Sequence, residues 1–156
     1  KVQRCRIHKI RNVSERLPKD RAEQVRWLMK QAFKLDTVAG KLRLEELARS
    51  LKAQHPDAAA SVLEGLDEMF TITELGITGE LARCLATTNV IESPNSVVRR
   101  VSGRVTNYKD AEMALRWTAA GFLEAEKSFK KLRGHADLKT LINGLRPAIQ
   151  QLRKAA

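Results

Sequence analysis

The chain is organised around the segment TTNVIESPNSVVRR, residues 87–100. This segment holds one acid, Glu92, and no other acid lies within residues 81–109. Asn89 and Asn95 flank the acid three residues away on either side. A basic group follows it, here called the downstream basic group, and comprises Arg99, Arg100, Arg104, Lys109 and Arg116. A lone carboxylate beside arginines is unusual on a structural helix surface and is typical of a site that holds a metal ion next to phosphates.

Two roles for Glu92 are open from the residues alone. Glu92 can be a metal ligand, since enzymes that break phosphodiester bonds use Mg²⁺ ions about 3.5–4 Å apart and hold them with carboxylate oxygens. Alternatively, Glu92 is the acid of a helical capping box that Asn89 opens. One Glu cannot hold two ions, and none of the six Asp residues of the chain is a suitable partner.

Pro94 makes the start of the helix around Glu92 ambiguous. If the helix begins at Asn89, Pro94 removes a backbone hydrogen bond at a cost of about 3 kcal/mol. If Ser93 is instead the N-cap, Pro94 occupies the first helical position at no cost. The second arrangement leaves Glu92 just outside the helix and changes the direction in which its carboxylate points.

Three blocks of the chain resemble, in the same order, the mutator-type transposases of bacterial insertion sequences. The first block, at residues 3–13, reads QRCRIHKIRNV and resembles the family's Cys-x-x-His block through Cys5 and His8. The second block is the segment at residues 87–100, which resembles the signature around the family's catalytic Glu, although Pro94 stands where a Leu-like residue is usual. The third, at residues 107–117, reads NYKDAEMALRW and resembles the block after that Glu. The resemblance therefore covers nearly the whole chain.

The resemblance implies that Glu92 is the third acid of an Asp-Asp-Glu triad and a ligand of the catalytic metal. Both Asp residues of the family lie upstream of the Cys-x-x-His block, and therefore before Lys1. We expect this chain, which begins with Lys, to be the C-terminal portion of a longer protein. The complete enzyme would cleave and join the DNA strands of a mobile element with Mg²⁺. The chain alone, lacking two of the three acids, would not.

The fold class expected is mainly α. A composition with 4% aromatic residues and many Leu, Ala and Val residues favours packed helices over a β-sandwich. The resemblance implies the C-terminal part of a ribonuclease-H-like catalytic core, interrupted by an all-helical insertion. The expected division has four parts: residues 1–18 end one section of the core, 19–86 form the insertion, 87–133 are core helices that carry the Glu signature, and 134–156 are a helical tail.

The spacing of apolar residues predicts the elements within these parts. Alternation predicts one short N-terminal strand from Val2 to Ile7. Helical spacing predicts helices over residues 8–17, 21–35, 38–54, 58–70, 79–86 and 108–132. Gly134 is expected to cap the last of these, and a final helix capped by Asp137 is expected to be interrupted near Pro147. Trp27 lies off the apolar stripe of its helix and is predicted to make a core or inter-helix contact.

The charge of the chain predicts a nucleic-acid partner. Its net charge is +11, with fourteen Lys/Arg against six Asp/Glu in residues 1–50 and thirteen against six in residues 91–156. Residues 51–90 are acidic, with two against six. Basic ends around an acidic middle predict a DNA-binding face built from both ends. The second contributor to this face, here called the upstream basic group, comprises Arg4, Arg6, Lys9 and Arg11.

A rival interpretation is a non-catalytic basic helical DNA-binding protein, or a decayed transposase remnant. An RNA-binding protein is disfavoured because no stacking aromatics are interleaved with the basic residues. The sequence has no run of eighteen apolar residues, so no membrane span is predicted. Whether the chain forms a homo-oligomer on DNA stays open.

The cysteine content favours a reducing compartment, because Cys5 and Cys84 are the two cysteines and form no Cys-x-x-Cys pair. The resemblance implies the bacterial cytoplasm, at the nucleoid. Cys5 and His8 have a spacing that could chelate zinc, but no second ligand pair is evident. The alternative is a cysteine packed under the strand and a histidine on a helix face.

Overall fold

The computed structural model describes the backbone of residues 1–155 and the side chains of residues 1–147. Over residues 1–155 the regular structure is helical, which confirms the mainly α prediction. The α-helices are α1 Arg6–Ser14, α2 Lys19–Ala32, α3 Thr37–Leu51, α4 Pro56–Leu63, α5 Thr71–Glu74, α6 Gly79–Leu85, α7 Asn89–Ser102, α8 Ala111–Glu126 and α9 Leu138–Ala155. Two 3₁₀ turns lie at Asp67–Met69 and His135–Asp137.

The chain divides into two compact units. The first unit comprises Lys1–Thr87 together with the segment from Gly134 onward, and the second comprises Thr88–Arg133. The division into catalytic core, insertion and tail made from the sequence stays a prediction.

The core of the first unit is formed by the apolar stripes of α1 to α4. Val13 of α1, Met29 of α2, Leu44 of α3 and Val62 of α4 are fully buried, as helical spacing of apolar residues requires. Phe70 closes this core from the segment after α4. Its ring approaches α3 at Gly40, where an added Cβ would lie 2.4 Å from Phe70 Cε1.

The second unit is a hairpin of α7 and α8. The two helices approach closely at Gly121, where an added Cβ would lie 2.7 Å from the Cα of Val98. Asp110 is the N-cap of α8, and its carboxylate accepts a 2.6 Å hydrogen bond from the N–H of Met113. Gly121 and Ala125 are the buried residues of α8, whereas α7 has none.

The predicted N-terminal strand is wrong. Residues 1–5 have no regular structure, and α1 begins at Arg6. The N–H of Arg4 donates to the carbonyl of Glu68 (3.0 Å), and the N–H of Arg6 donates to that of Ala86 (2.9 Å). These bonds tie the segment to two different places rather than to one neighbouring strand, so no ladder forms within the described residues.

Several predicted helix boundaries also need correction. The predicted helix over residues 58–70 ends at Leu63, because Gly65 adopts the left-handed conformation (φ 61°) and ends the helical path. The helix predicted over 108–132 is the shorter α8. Gly134 is left-handed (φ 73°) but precedes a 3₁₀ turn rather than capping α8. The final helix runs through Pro147 without the predicted break.

Trp27 is not a core residue. Its side chain is 60% exposed, which contradicts the predicted core contact. It lies on the side of α2 opposite the buried stripe of Val25, Met29 and Ala32.

No helix within the described part of the chain has the length and apolar character needed to cross a membrane.

Candidate catalytic and nucleic-acid-binding site

The helix that carries Glu92 begins at Asn89, so the structure decides between the two starts that the sequence left open. Thr88 is the N-cap of α7, and the N–H of Glu92 donates to its carbonyl at 2.9 Å. Asn89 is therefore the first residue of α7 rather than its N-cap, which excludes a capping box opened by Asn89. Pro94 lies inside the helix, where the carbonyl of Val90 loses its intrahelical partner.

Thr88 positions the carboxylate of Glu92. Its Oγ1 donates a hydrogen bond of 2.5 Å to Oε1 of Glu92, one helical turn further along. The side chain of Glu92 is exposed to solvent. An exposed carboxylate at the start of a helix, with one oxygen oriented by a hydroxyl, is the kind of ligand that a hard divalent cation binds.

The polar residues of α7 share one face with Glu92. In a helix, residues three, four and seven positions apart lie on the same side, which groups Asn89, Asn95 and Arg99 with Glu92. Arg99 follows Glu92 by about 10 Å along the helix axis. The opposite face is apolar and packs through Val98 on α8. The signature thus forms one amphipathic helix, and its polar face carries an acid followed by a cation.

The whole downstream basic group is exposed. Arg99 and Arg100 end α7, Arg104 and Lys109 lie in the connection to α8, and Arg116 lies on α8. The second unit holds nine Lys/Arg against five Asp/Glu, and is therefore positively charged overall.

One acid of this unit responds to the basic field. Hydrogen bonding from Lys127 lowers the pKa of Glu124, and the positive charge of Arg100 adds to that effect. The Nζ of Lys127 lies 2.6 Å from Oε2 of Glu124.

The upstream basic group has a different environment, because protein acceptors engage much of its charge. The guanidinium of Arg4 pairs with Glu64 at 2.9 Å and with Glu68, and the hydrogen bond that Arg4 donates to Glu64 raises the pKa of Arg4. Lys9 is 4% exposed, and its Nζ donates to the carbonyl of Ser61 (2.8 Å) and to Oε2 of Glu64 (3.1 Å).

Arg6 is the most enclosed guanidinium of this group. Its Nε donates to the carbonyl of Met69 (2.9 Å), and its Nη1 donates to that of Phe33 (3.2 Å). Its Nη2 donates to Oγ1 of Thr73 (3.1 Å). The guanidinium carbon also lies 5.0 Å from the ring centre of Phe33, and burial lowers the pKa of Arg6. Arg11, by contrast, is exposed, and its Nε lies 3.8 Å from Oε1 of Glu15.

The contrast between the two basic groups decides where phosphates could bind most readily. A phosphate that approached Arg4, Arg6 or Lys9 would have to displace existing protein acceptors. A DNA contact by the upstream basic group stays a prediction, and the downstream basic group offers the more accessible charge.

Cys5 and His8 line one cavity in the first unit. Cys5 is the N-cap of α1, and His8 lies one turn further on. The cavity has a volume of about 240 Å³ and is also lined by Arg4, Lys9, Asn12, Glu64 and Met69. Within residues 1–147, no three His, Cys, Asp or Glu side chains are grouped so that they could hold a metal ion.

Comparison with protein families gives one match. The model described as transposase, Mutator family, matches residues 1–132. Comparison with curated proteins and with solved structures gave no match. The matched range contains Cys5, His8, Glu92 and both basic groups.

Proposed function

Because the chain belongs to the Mutator family of transposases, we propose that it is the part of a DNA transposase that supplies Glu92 to the strand-cleaving site. The observation that carries this proposal is the polar face of α7. That face presents an exposed, hydroxyl-oriented carboxylate, with Asn95 and Arg99 following it on the same side. A carboxylate is what a hard divalent cation binds, and a neighbouring guanidinium suits phosphate oxygens.

Mg²⁺ is the cofactor of this proposal for the complete enzyme. The described residues alone do not fit a pair of ions, since no grouping of three potential ligands occurs in residues 1–147. Glu92 would therefore supply one carboxylate and would act with two Asp residues upstream of the Cys-x-x-His block. The isolated chain is expected to have no cleavage activity of its own.

An exposed apolar side of α8 supports the proposal of a ribonuclease-H-like core. One side of α8 packs on α7 through Gly121, whereas Leu115, Phe122 and Leu123 on the other side are exposed, Leu115 by 68%. A group of large apolar side chains exposed together normally marks a contact surface. A hairpin of two helices is also too small to have a sufficient core. We expect the outer side of α8 to pack on the remainder of the catalytic core.

DNA is the partner of this proposal, and the downstream basic group is its main contact. Each phosphate that a cation neutralises makes log K fall with log salt by about 0.9 for duplex DNA. Binding of duplex DNA by the chain should therefore weaken steeply with salt and depend little on sequence. Fluorescence anisotropy at several salt concentrations measures this, and an affinity that does not change with salt would contradict it.

Pro94 is the observation that favours a second candidate, a decayed remnant that binds DNA without cleaving it. The proline lies inside α7, two residues after Glu92, at a position where it costs about 3 kcal/mol. A helix weakened at this point would hold the carboxylate less firmly.

The test of the main proposal restores the upstream half of the enzyme. The chain is joined to the upstream half of a close relative, and the parent is compared with Glu92→Gln and with Pro94→Leu. Gln keeps the size and one acceptor oxygen but removes the charge that binds Mg²⁺. We expect Mg²⁺-dependent cleavage to collapse in Glu92→Gln while DNA binding stays at the parent level.

The Pro94→Leu graft separates the two candidates. Cleavage that appears only after this reversion identifies the chain as an inactivated transposase. Cleavage by the parent graft that Glu92→Gln leaves intact refutes the catalytic role of Glu92.

A further inference from the structure

Trp27 is an indole displayed on a polar helix face. Its side chain is 60% exposed in the middle of α2, directly opposite the stripe that packs into the core. Tryptophan is usually buried to a large extent, because its large apolar surface is costly to leave in water. This indole is not part of the buried core of the first unit, and most of it is available on the surface.

Cations accompany this indole, so one aromatic side chain available for stacking does lie among basic residues, contrary to the expectation from the sequence. Residues 24–35 contain no acid, and they include Arg26, Lys30 and Lys34. Lys30 follows Trp27 by three residues and lies on the same side of α2. Lys34 lies in the turn just after the end of α2, where its Nζ donates to Oε1 of Gln31 at 3.2 Å. Both lysines are exposed, whereas Arg26 is turned towards α1 by a hydrogen bond of 3.0 Å from its Nε to Oγ of Ser14.

The acids of α2 lie on the other side of Trp27 along the helix. Asp20 and Glu23 belong to its N-terminal half, where Asp20 is in the first turn. Lys19 and Arg21 offset these two acids, so the helix is near neutral before the indole and positive after it. A polyanion that contacts the indole would continue towards Lys30 and Lys34 and away from the acids.

We propose that Trp27 with Lys30 and Lys34 forms a binding site for single-stranded DNA, in which an unpaired base stacks on the indole while the lysines contact the adjacent phosphates. The site rests on the proposed function, because it assumes that the chain acts on DNA. Every base has a π-face, so such stacking tolerates any sequence, and aromatic side chains beside cations are how proteins hold single strands. Paired bases inside a duplex offer no free face to an exposed indole.

Unpaired bases occur wherever a strand of a mobile element is separated from its complement around cleavage. A site for them on the first unit would lie outside the polar face of α7. It would therefore add affinity for opened DNA ends without taking part in the chemistry at Glu92.

The experiment uses the full chain and a single-stranded oligonucleotide, with a duplex of the same sequence for comparison. The variants are Trp27→Ala, Trp27→Phe, Lys30→Gln and the matched control Leu42→Ala, which removes another large exposed apolar side chain of the same unit. Circular dichroism and thermal unfolding verify that each variant keeps its fold.

Affinity and its salt dependence separate stacking from charge. Trp27→Ala should weaken single-strand binding by about 5- to 150-fold, the range expected for one stacked base. Its salt slope should stay at the wild-type value, because no phosphate contact is lost. Trp27→Phe should keep most of the affinity, whereas Lys30→Gln should lower the slope by about 0.7. Leu42→Ala should bind as the wild type does, and duplex affinity should respond little to Trp27→Ala.

Fluorescence reports the contact directly. A stacked base quenches indole emission, so the oligonucleotide should quench the wild type more than Trp27→Phe, in which Trp117 is the remaining indole. Equal quenching in both proteins, or unchanged single-strand affinity in Trp27→Ala, overturns the proposal.

Two other outcomes identify different causes. If light scattering gives a different molar mass for Trp27→Ala than for the wild type, this face is a contact between protein chains, and the DNA site is overturned. If the wild type binds neither single strands nor duplex, the proposed DNA partner itself fails. Salt-dependent duplex binding, together with single-strand binding that Trp27→Ala leaves unchanged, refutes the stacking site alone.

Discussion

Replacing Arg6 by Ala separates a structural role of the upstream basic group from a role in DNA binding. The guanidinium of Arg6 connects the start of α1 to the carbonyl of Phe33 after α2 and to the carbonyl of Met69 before α5. Its third hydrogen bond is to Thr73 within α5. The same guanidinium lies over the rings of Phe33 and Phe70, at 5.0 and 5.5 Å from their centres.

The cost of Arg6→Ala follows from these contacts. Three hydrogen bonds at about 1 kcal/mol each contribute about 3 kcal/mol. We use this modest value because the side chain is half-buried and water can reach the vacated acceptors in part. The cation–π contacts contribute about 1 kcal/mol more. We therefore expect Arg6→Ala to lower the free energy of unfolding by about 4 kcal/mol, which is a large part of the 5–15 kcal/mol that a domain has. For a chain of this length the melting temperature should fall by about 8–16 °C.

Arg6→Lys and Arg99→Ala are the controls. Lys keeps the charge but has no planar fork for three acceptors, so Arg6→Lys should lose much of the same stability while a phosphate contact would survive. Arg99→Ala removes an exposed side chain and should change stability by less than about 0.5 kcal/mol. It should nevertheless reduce the salt slope of duplex binding by about 0.9.

Urea unfolding, monitored by circular dichroism, measures the free energy of unfolding of each variant. Fluorescence anisotropy, at a temperature where every variant is folded, measures DNA binding. A structural role of Arg6 is refuted if Arg6→Ala unfolds at the wild-type midpoint while its salt slope falls as that of Arg99→Ala does. Should Arg6→Ala fail to fold, Arg6→Lys tests the structural role through stability alone, and a wild-type midpoint in that variant would refute it.

Two further predictions concern packing and pH. Gly121→Ala should destabilise the α7–α8 hairpin by about 1–3 kcal/mol, although Ala favours helices, because the new Cβ would lie 2.7 Å from the Cα of Val98. Hydrogen exchange of the α7 amides measures this effect, and Ala120→Leu at the exposed neighbouring position is the control. Equal exchange rates in the two variants would disprove the close contact. Hydrogen bonding from Arg4, and then from Lys9, lowers the pKa of Glu64 in the folded chain below its value in the unfolded chain. The carboxylate of Glu64 therefore stabilises the fold fully above the unfolded pKa of about 4.3. This stabilisation is lost as the pH falls through the lower folded pKa. Unfolding midpoints across this pH range should thus fall less steeply for Glu64→Gln than for the wild type, and identical pH profiles would count against the ion pairs.

The helices of the first unit could be predicted because local signals determine them. Apolar residues at helical spacing gave α2 and α3, with Val25, Met29, Leu44 and Leu51 buried as the pattern requires. The ends were less predictable, because they depend on contacts made far along the chain. The strand expected at Val2–Ile7 is an example: alternation alone cannot supply a neighbouring strand, and this segment finds its hydrogen-bond partners at Glu68 and Ala86 instead.

The candidate site was predictable in its residues and not in its geometry. The order of three blocks was enough to point to the family, and the spacing of Asn89, Asn95 and Arg99 around Glu92 already implied a common face if the segment is helical. The start of that helix could not be decided, because Asn89 and Ser93 are both good N-caps by residue type. In the structure the N-cap is Thr88, which neither alternative named, and this places Pro94 within the hydrogen-bonded part of α7.

Counting charges along a sequence overstates the basic surface, and the two basic groups show the physical reason. A cation is available to a phosphate only if its own protein leaves it exposed and without a strong acceptor. Lys9 has an acidic partner fifty-five residues away, and Arg6 has acceptors in Phe33, Met69 and Thr73. The acidic middle of the chain thus neutralises part of its basic start within the fold. The arginines of the downstream basic group, by contrast, lie on the surface of the second unit. Of the two basic groups, the one that follows Glu92 along the chain is therefore the one whose charge stays accessible to a phosphate.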